Sequence, residues 1–243
     1  MQSADPETQI PKGAAMHSRK RTGMSTAAAM AAVALAIAVA VTAAPAIYER
    51  LANAFAAPDS AVGESGHAQP DSSTPQSQWQ AGSVPSLYQA DPAWASEPYA
   101  GGTVGENGCG PTCLAMAYIC QTGRTDMDPA AMCAFSEANG FVENNMTSWR
   151  LMGDGARLLG LTSEELPASA GAVHDALAGG RTVIASVGPG DFTTVGHFIV
   201  ITGTDGTGRF SVADPNSERR SQILWDEERV LAQCLNLWAI GTN

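Results

Sequence analysis

The chain contains only two lysines, and both lie before residue 21. A nucleotide-binding loop of the common Gly-x4-Gly-Lys-Ser/Thr type needs a lysine to contact the phosphates. The nearest match begins at Gly105 and reaches Gly110, but Pro111 takes the place of the lysine. No buried strand precedes it, as such a loop requires. We therefore exclude phosphate binding by this loop.

Positive charge in general is scarce. The chain has 13 basic and 24 acidic residues, for a net charge of -11. Past residue 52 the counts are 8 basic and 21 acidic, a net charge of -13. Such a surface repels nucleic acid and anionic lipid, so we expect no nucleic-acid partner. By itself, the acidity indicates a solvated surface without a specific partner.

Two other kinds of site lack the residues they need. The five cysteines show no Cys-x-x-Cys spacing, and beyond residue 67 the only histidines are His174 and His197. This disfavours zinc, and we expect neither a metal nor an organic cofactor. The adjacent carboxylates Glu164 and Glu165 do not converge on one bond, which gives a glycosidase little support.

Only one long apolar run is present, and it lies near the N-terminus. Arg19, Lys20 and Arg21 precede a charge-free stretch over residues 22–48, an order typical of export signals. We predict a cytoplasmic basic segment over residues 1–23 and a signal peptide or single transmembrane anchor over 24–48. A buried helix of a soluble domain fits the basic flank less well. We expect an exported protein, extracellular or at the cell surface, with cleavage left open.

A domain is predicted to follow a flexible linker. Residues 49–84 are rich in Ala, Pro, Ser and Gln, which bury too little surface to offset chain entropy. Residues 85–243 are long enough for one folded domain with its own core.

Within this domain the patterns predict helices first and strands afterwards. One helix begins near Pro111 and stops at Gly123, and a second is capped by Asp128 and ends before Gly140. The other predicted elements are helices over 148–159, 170–178 and 225–234, antiparallel strands over 181–188, 197–205 and 208–214, and a terminal strand over 235–241. This segregation indicates an α+β fold class.

Cys109 stands between two glycines where the first helix begins. The thiolate is the reactive form of cysteine, and a helix N-terminus favours the anion. We expect Gly108 and Gly110 to leave the sulfur open to a substrate. Because a lone buried cysteine is usually inert, Cys109 needs a base before it can be assigned a role as nucleophile.

His197 is the better candidate for that base. His174 lies in a polar helix and is predicted at the surface, whereas His197 opens an apolar strand after a glycine-rich loop. Asp214 ends the next strand at the break made by Pro215. Adjacent antiparallel strands bring the end of one near the start of the other, so Asp214 is placed to orient His197. Cys109, His197 and Asp214 then form a nucleophilic triad.

Four stretches resemble the bacteriocin-processing (double-glycine leader) peptidase-like branch of the papain-like cysteine peptidases. They are, in chain order, "YQADPAWASEPY" (88–99), "GENGCGPTCLAMAY" (105–118), "GHFIVITG" (196–203) and "VADPNS" (212–217). The resemblance covers residues 87–240. It implies a papain-like fold whose nucleophile helix packs on a small antiparallel sheet. It also implies that Cys109 is the nucleophile, with His197 and Asp214 as its partners.

The resemblance assigns a fourth catalytic residue, Gln89, which would donate to the oxyanion together with the backbone N–H of Cys109. The 20 residues between Gln89 and Cys109 require an insertion that loops out.

The remaining cysteines are Cys113, Cys120, Cys133 and Cys234. Five cysteines in an exported protein fit one free thiol and up to two disulfides, with Cys120 and Cys133 as one possible pair.

The sequence thus predicts a monomeric cysteine peptidase that hydrolyses a peptide or isopeptide bond. Its partner is a peptide or protein substrate, and it meets the membrane only through its N-terminal segment. Two alternatives stay open: a thiol acyltransferase or cell-wall peptide hydrolase, and a non-catalytic module that binds peptides. Leader processing by a transporter-fused enzyme is not expected, because the sequence contains no transporter or nucleotide-binding region.

Overall fold

The computed structural model describes residues 72–243. The predicted basic segment, the predicted signal or anchor and most of the predicted linker lie outside these residues. Among the helices formed by residues 72–243, none is both long enough and apolar enough to cross a bilayer.

The elements follow one another in a helical first half and a strand-rich second half. The helical elements are a 3-10 turn (Gln76–Gln78), α1 (Val104–Asn107), α2 (Cys109–Thr122), α3 (Pro129–Ala138), a π-helical turn (Leu151–Gly155), α4 (Ala156–Leu158), α5 (Ala170–Ala178), α6 (Glu218–Ser221) and α7 (Glu227–Leu231). The strands are β1 (Pro98–Tyr99), β2 (Gly102–Thr103), β3 (Val142–Glu143), β4 (Met146–Thr147), β5 (Thr162–Leu166), β6 (Thr182–Val187), β7 (His197–Thr204), β8 (Arg209–Ala213), β9 (Leu224–Asp226) and β10 (Cys234–Gly241).

Six of these strands form one sheet in the order β5-β10-β6-β7-β8-β9. Every neighbouring pair in it is antiparallel. The other four strands form two short hairpins, β1–β2 and β3–β4. The predicted α+β class is confirmed, and so are the three predicted antiparallel strands β6, β7 and β8.

The sheet has a core on each face. Along β7, Phe198 and Val200 pack into the core that contains α2, whereas Ile199 and Ile201 pack into a second core with Val173 of α5. This alternation is the period of two that a strand imposes on its side chains. Helix α2 therefore lies on one face of the sheet, and α5 and α7 lie on the other.

Helix α2 has the ends that the sequence predicts. It begins at Cys109, and Gly123 ends it in a left-handed conformation with φ of 68°. All residues from 110 to 119 are buried, as expected for a helix that is apolar on every side. The next helix, α3, is capped by the Asp128 side chain, which accepts a hydrogen bond from the Ala131 backbone.

Two predicted helices and two strands differ from the predictions. The helix predicted over 148–159 is shorter and contains the π-helical turn, where Gly155 allows close packing because a Cβ there would lie 2.8 Å from Leu151 Cδ1. The last predicted helix is also shorter, because Trp225 belongs to β9 and Cys234 to β10. Strands β5 and β9 were not predicted. In β5, at the edge of the sheet, two exposed glutamates interrupt the alternation of apolar and polar residues that would indicate a strand.

The folded part also begins earlier than predicted. Residues 72–84 fall in the predicted linker, yet Trp79 is only 7% exposed and its Nε1 donates to the Thr74 carbonyl. Nearby, the Gly82 N–H donates to the Cys120 carbonyl at the end of α2. One large aromatic side chain thus anchors a segment whose average composition is that of a tether.

Candidate active site

Cys109 is the first residue of α2 and is half-buried. The glycines on either side of it are required by packing. A Cβ at Gly108 would lie 2.5 Å from the Val104 carbonyl oxygen, and one at Gly110 would lie 2.8 Å from Thr147 Cγ2 on hairpin β3–β4. The prediction that these glycines serve to open the sulfur is therefore incomplete: they let α1 and the hairpin close around the start of α2.

His197 is the first residue of β7 and is 7% exposed. Its Nε2 lies 2.8 Å from Oδ1 of Asp214, and the Cys109 side chain is close enough to the ring to affect the pKa of the imidazole. Because Nε2 faces the carboxylate, Nδ1 is the nitrogen left for the thiol. The imidazole thus interacts with both Cys109 and Asp214, as a base in a nucleophilic triad must.

Asp214 follows β8 directly and is 1% exposed. The register pairs Val200 with Ala213, so the end of β8 lies beside the start of β7, as predicted. Oδ1 also accepts a hydrogen bond from the Asn216 backbone at 2.8 Å, and Oδ2 accepts one from Arg220 Nε at 2.5 Å. Both carboxylate oxygens are therefore occupied by donors.

His197 and Asp214 each stabilise the charged form of the other. Burial alone would lower the pKa of His197, but the interactions with Asp214 and Cys109 outweigh it and raise that pKa to about 9. Burial alone would raise the pKa of Asp214, yet hydrogen bonds from His197 and Arg220 hold it below its ordinary value. The pair therefore favours an imidazolium next to a carboxylate.

Three of the other four cysteines lie in surroundings that raise the pKa of their thiols. Cys113 and Cys133 are buried, and burial raises the pKa of both thiols well above the ordinary value. Burial likewise raises the pKa of Cys234 to about 11. All five cysteines are free, so the predicted option of a Cys120–Cys133 disulfide is not realised.

Gln89 is 3% exposed and joins two parts of the site. Its Nε2 donates to the Gly105 carbonyl in α1 at 2.8 Å, and its backbone N–H donates to the Pro215 carbonyl at 2.7 Å. Its Oε1 is buried and has no hydrogen-bond partner among residues 72–243. Gln89 is thus fixed between the helix that precedes Cys109 and the loop that follows Asp214, and the β1–β2 hairpin forms part of the predicted insertion.

Sequence reasoning missed one polar group at this site, Arg220. Arg220 lies six residues beyond Asp214 in a short helix, and no motif at that spacing marks it as a partner. Tyr99 Oη hydrogen-bonds Ser136 and Thr147, which links α3 to the hairpin that packs on Gly110. Tyr99 itself is 1% exposed and so belongs to the core.

His174 lies on the other face of the sheet, on α5. As predicted it is partly exposed, but its Nε2 is 2.8 Å from Oε1 of the buried Glu227. The structure therefore brings His197, and not His174, to Cys109. No group of three His, Cys, Asp or Glu side chains within residues 72–243 is arranged to hold a metal ion.

Comparison with known proteins gives a family. Residues 81–240 match the sequence model of the Peptidase_C39 like family. Among solved structures, one similar chain is the peptidase domain of Streptococcus ComA, described as a bi-functional ABC transporter involved in quorum sensing. The two sequences are 16% identical, with a TM-score of 0.43, over 57% of this chain and 93% of that one. No curated protein sequence is significantly similar to the chain.

Proposed function

The chain belongs to the Peptidase_C39 like family, and from this premise we propose that it hydrolyses a peptide or isopeptide bond. The family match indicates cysteine peptidase activity. The observation that carries our assignment of its residues is the buried His197 ring, which hydrogen-bonds Asp214 and interacts electrostatically with Cys109. A thiol, an imidazole and a carboxylate in this order are the parts that thiol acyl transfer requires.

In the proposed mechanism the Cys109 sulfur adds to the scissile carbonyl carbon. His197 holds the thiol proton and gives it to the leaving amine as the carbon–nitrogen bond breaks, which leaves a thioester on the sulfur. His197 then takes a proton from water, and the resulting nucleophile displaces the sulfur to release the carboxylate product. Asp214 fixes the ring with Nε2 toward itself and stabilises the imidazolium.

Gln89 is our proposed oxyanion donor, together with the backbone N–H of Cys109. The first N–H groups of a helix lack partners within the helix, which suits the Cys109 N–H to this task. One N–H of the Gln89 amide is used by Gly105. Its second N–H is the group we assign to the developing negative charge.

We further propose that the enzyme acts outside the cytoplasm as a monomer. Support comes from the sequence alone: basic residues followed by a long apolar run over residues 22–48. The substrate is a peptide or protein segment, and the acidic surface disfavours nucleic acid.

The test is a search for cleavage with the full-length chain and a peptide library, read by mass spectrometry. We expect cleaved peptides with the native chain and none with Cys109→Ala. An added free amine separates hydrolysis from acyl transfer, because a transferase would join the amine to the new carboxyl end. Peptides that are retained but uncut by both proteins would instead identify a binding module.

A further inference from the structure

Arg220 contacts the side of Asp214 that faces away from His197. Its Nε lies 2.5 Å from Oδ2 of Asp214, whose side chain is fully buried, while the arginine side chain is 26% exposed. The guanidinium thus reaches from the surface to a carboxylate that water does not touch. Charge-assisted hydrogen bonds of this kind are shorter and stronger than neutral ones.

The loop around Arg220 is built to hold it there. Ser217 caps α6 by accepting a hydrogen bond from the Arg220 backbone N–H, and Trp225 Nε1 donates to the Arg220 carbonyl at 2.9 Å. The next residue, Ser221, accepts a hydrogen bond from the Asp214 backbone N–H at 2.9 Å. The short helix is therefore fastened to the aspartate through both main chain and side chain.

The charged and titratable groups around the carboxylate are few. His197 faces it from β7, Arg220 from α6 and Cys113 from α2. Cys113 is fully buried, and burial raises its pKa, so this thiol stays neutral. When His197 gives up its proton during a reaction cycle, Arg220 remains as the only cation beside Asp214 among residues 72–243.

From this arrangement we propose that Arg220 is a positioning residue for the reaction assigned above. It keeps Asp214 ionised and fixes the plane of the carboxylate, so that Oδ1 stays aimed at His197 in both protonation states of the imidazole. The catalytic part of this inference rests on the proposed function. The effect of Arg220 on Asp214 and His197 can be tested without a substrate.

The expected effect of removing Arg220 has a definite sign. Arg220 stabilises the anion, so without it Asp214 binds a proton at a higher pH. Once Asp214 is neutral it no longer stabilises the imidazolium. The acid limb of the pH–activity profile therefore moves to higher pH. We expect a shift of about one pH unit, with kcat/KM lower by roughly 10- to 100-fold on the acid side and KM little changed.

The first measurement is the downfield Nε2–H proton resonance of His197, followed against pH by NMR in the full-length chain carrying Cys109→Ala. Its assignment comes from its loss in His197→Gln, which separates it from the His174 signal. We expect Arg220→Ala to lose the resonance at a higher pH than the parent on the acid side, with Arg220→Lys in between. The matched control is Arg219→Ala, which removes the same charge from a residue with no ion pair in the described part of the chain.

The proposal would be overturned if the His197 resonance were lost at the same pH in folded Arg220→Ala and folded Arg219→Ala. If circular dichroism shows that Arg220→Ala does not fold, Arg220→Gln is judged by the same criterion. Because the protein used for NMR carries Cys109→Ala and so has no nucleophile, the result does not depend on peptidase activity. Failure to find any substrate would therefore contradict the proposed function but would leave the NMR test of Arg220 unaffected.

Discussion

Two histidine–carboxylate pairs lie on opposite faces of the same sheet, and they have the same nitrogen–oxygen distance. His197 Nε2 is 2.8 Å from Asp214, and His174 Nε2 is 2.8 Å from Glu227. Their surroundings differ. The His197 side chain is 6% exposed and interacts with the Cys109 thiol, whereas the His174 side chain is 41% exposed and packs edge-on against the Phe210 ring. A short contact between a histidine and a carboxylate is therefore not by itself a sign of catalysis.

The second pair has an evident structural use. Glu227 is buried at the start of α7, and its Oε1 also accepts a hydrogen bond from Thr204 at the end of β7. With His174 on α5, these contacts join two helices to the sheet. A buried carboxylate needs such donors, because leaving it unpaired is costly. The two pairs differ in where their third group lies: Cys109 interacts with the His197 imidazole, whereas the Thr204 hydroxyl donates to the Glu227 carboxylate.

The largest expected effect is the difference between the two histidines. His197→Ala removes the base beside Cys109, so we expect kcat/KM for the best library peptide to fall by about 10³-fold or more. His174→Ala is the matched change on the other face and is expected to leave kcat/KM within about twofold. Comparable losses in both folded variants would break the distinction between the pairs.

A smaller difference in activity is expected when the carboxylates of the two pairs are replaced. Asp214→Asn keeps the shape but removes the charge that stabilises the imidazolium, and we expect kcat to fall by roughly 100-fold. Glu227→Gln is the corresponding change in the other pair, and its activity should match the native chain. Steady-state kinetics with both variants checks this, and an unchanged kcat in Asp214→Asn would contradict the assigned role.

Stability against pH sharpens the comparison further. The pKa of His197 is raised to about 9, so its contribution to the free energy of unfolding is fully present below about pH 6.5 and lost as pH rises through 9. The lowered pKa of Asp214 means that its contribution is lost as pH falls below the ordinary range of an aspartate. We expect the difference in unfolding free energy between the native chain and His197→Gln to shrink by up to about 3 kcal/mol between pH 6 and pH 10.

Urea unfolding at a series of pH values measures that difference, because the subtraction removes the titration of groups common to both chains. A difference that stays constant with pH would show that the imidazolium is not stabilised in the folded protein.

The smallest expected effect concerns the structural pair alone. His174→Ala removes one of the two side-chain donors on Glu227 Oε1, and Thr204 remains. We expect the free energy of unfolding to fall by about 1 to 2 kcal/mol, measured by urea unfolding near neutral pH. The double variant with Glu227→Gln should lose less than the sum of the single changes, because the two residues interact. Strict additivity would argue that the hydrogen bond contributes nothing.

The parts of the site that sequence predicted are those fixed by local rules. Glycine and proline mark the start of α2 at Cys109, and the order of strands places the end of β8 beside His197. These rules act within a helix end or between consecutive strands, so they are visible without knowledge of tertiary packing.

What the sequence missed depends on contacts between distant or unpatterned segments. Arg220 reaches Asp214 only because a short helix folds back, and Glu227 meets His174 across 53 residues. Trp79 anchors residues that composition assigns to a linker. Neither residue type nor spacing reveals such contacts, since many exposed arginines, glutamates and tryptophans have the same local sequence context.

The most direct test of the central claim is the rate of iodoacetamide labelling at Cys109 against pH in the full-length chain, identified by peptide mass spectrometry. We predict labelling that persists well below pH 7, is lost in His197→Ala and is kept in His174→Ala, because only His197 holds the thiol proton. Labelling that rises only near the pKa of an ordinary thiol, about 8.5, and is the same in all three chains would contradict the account.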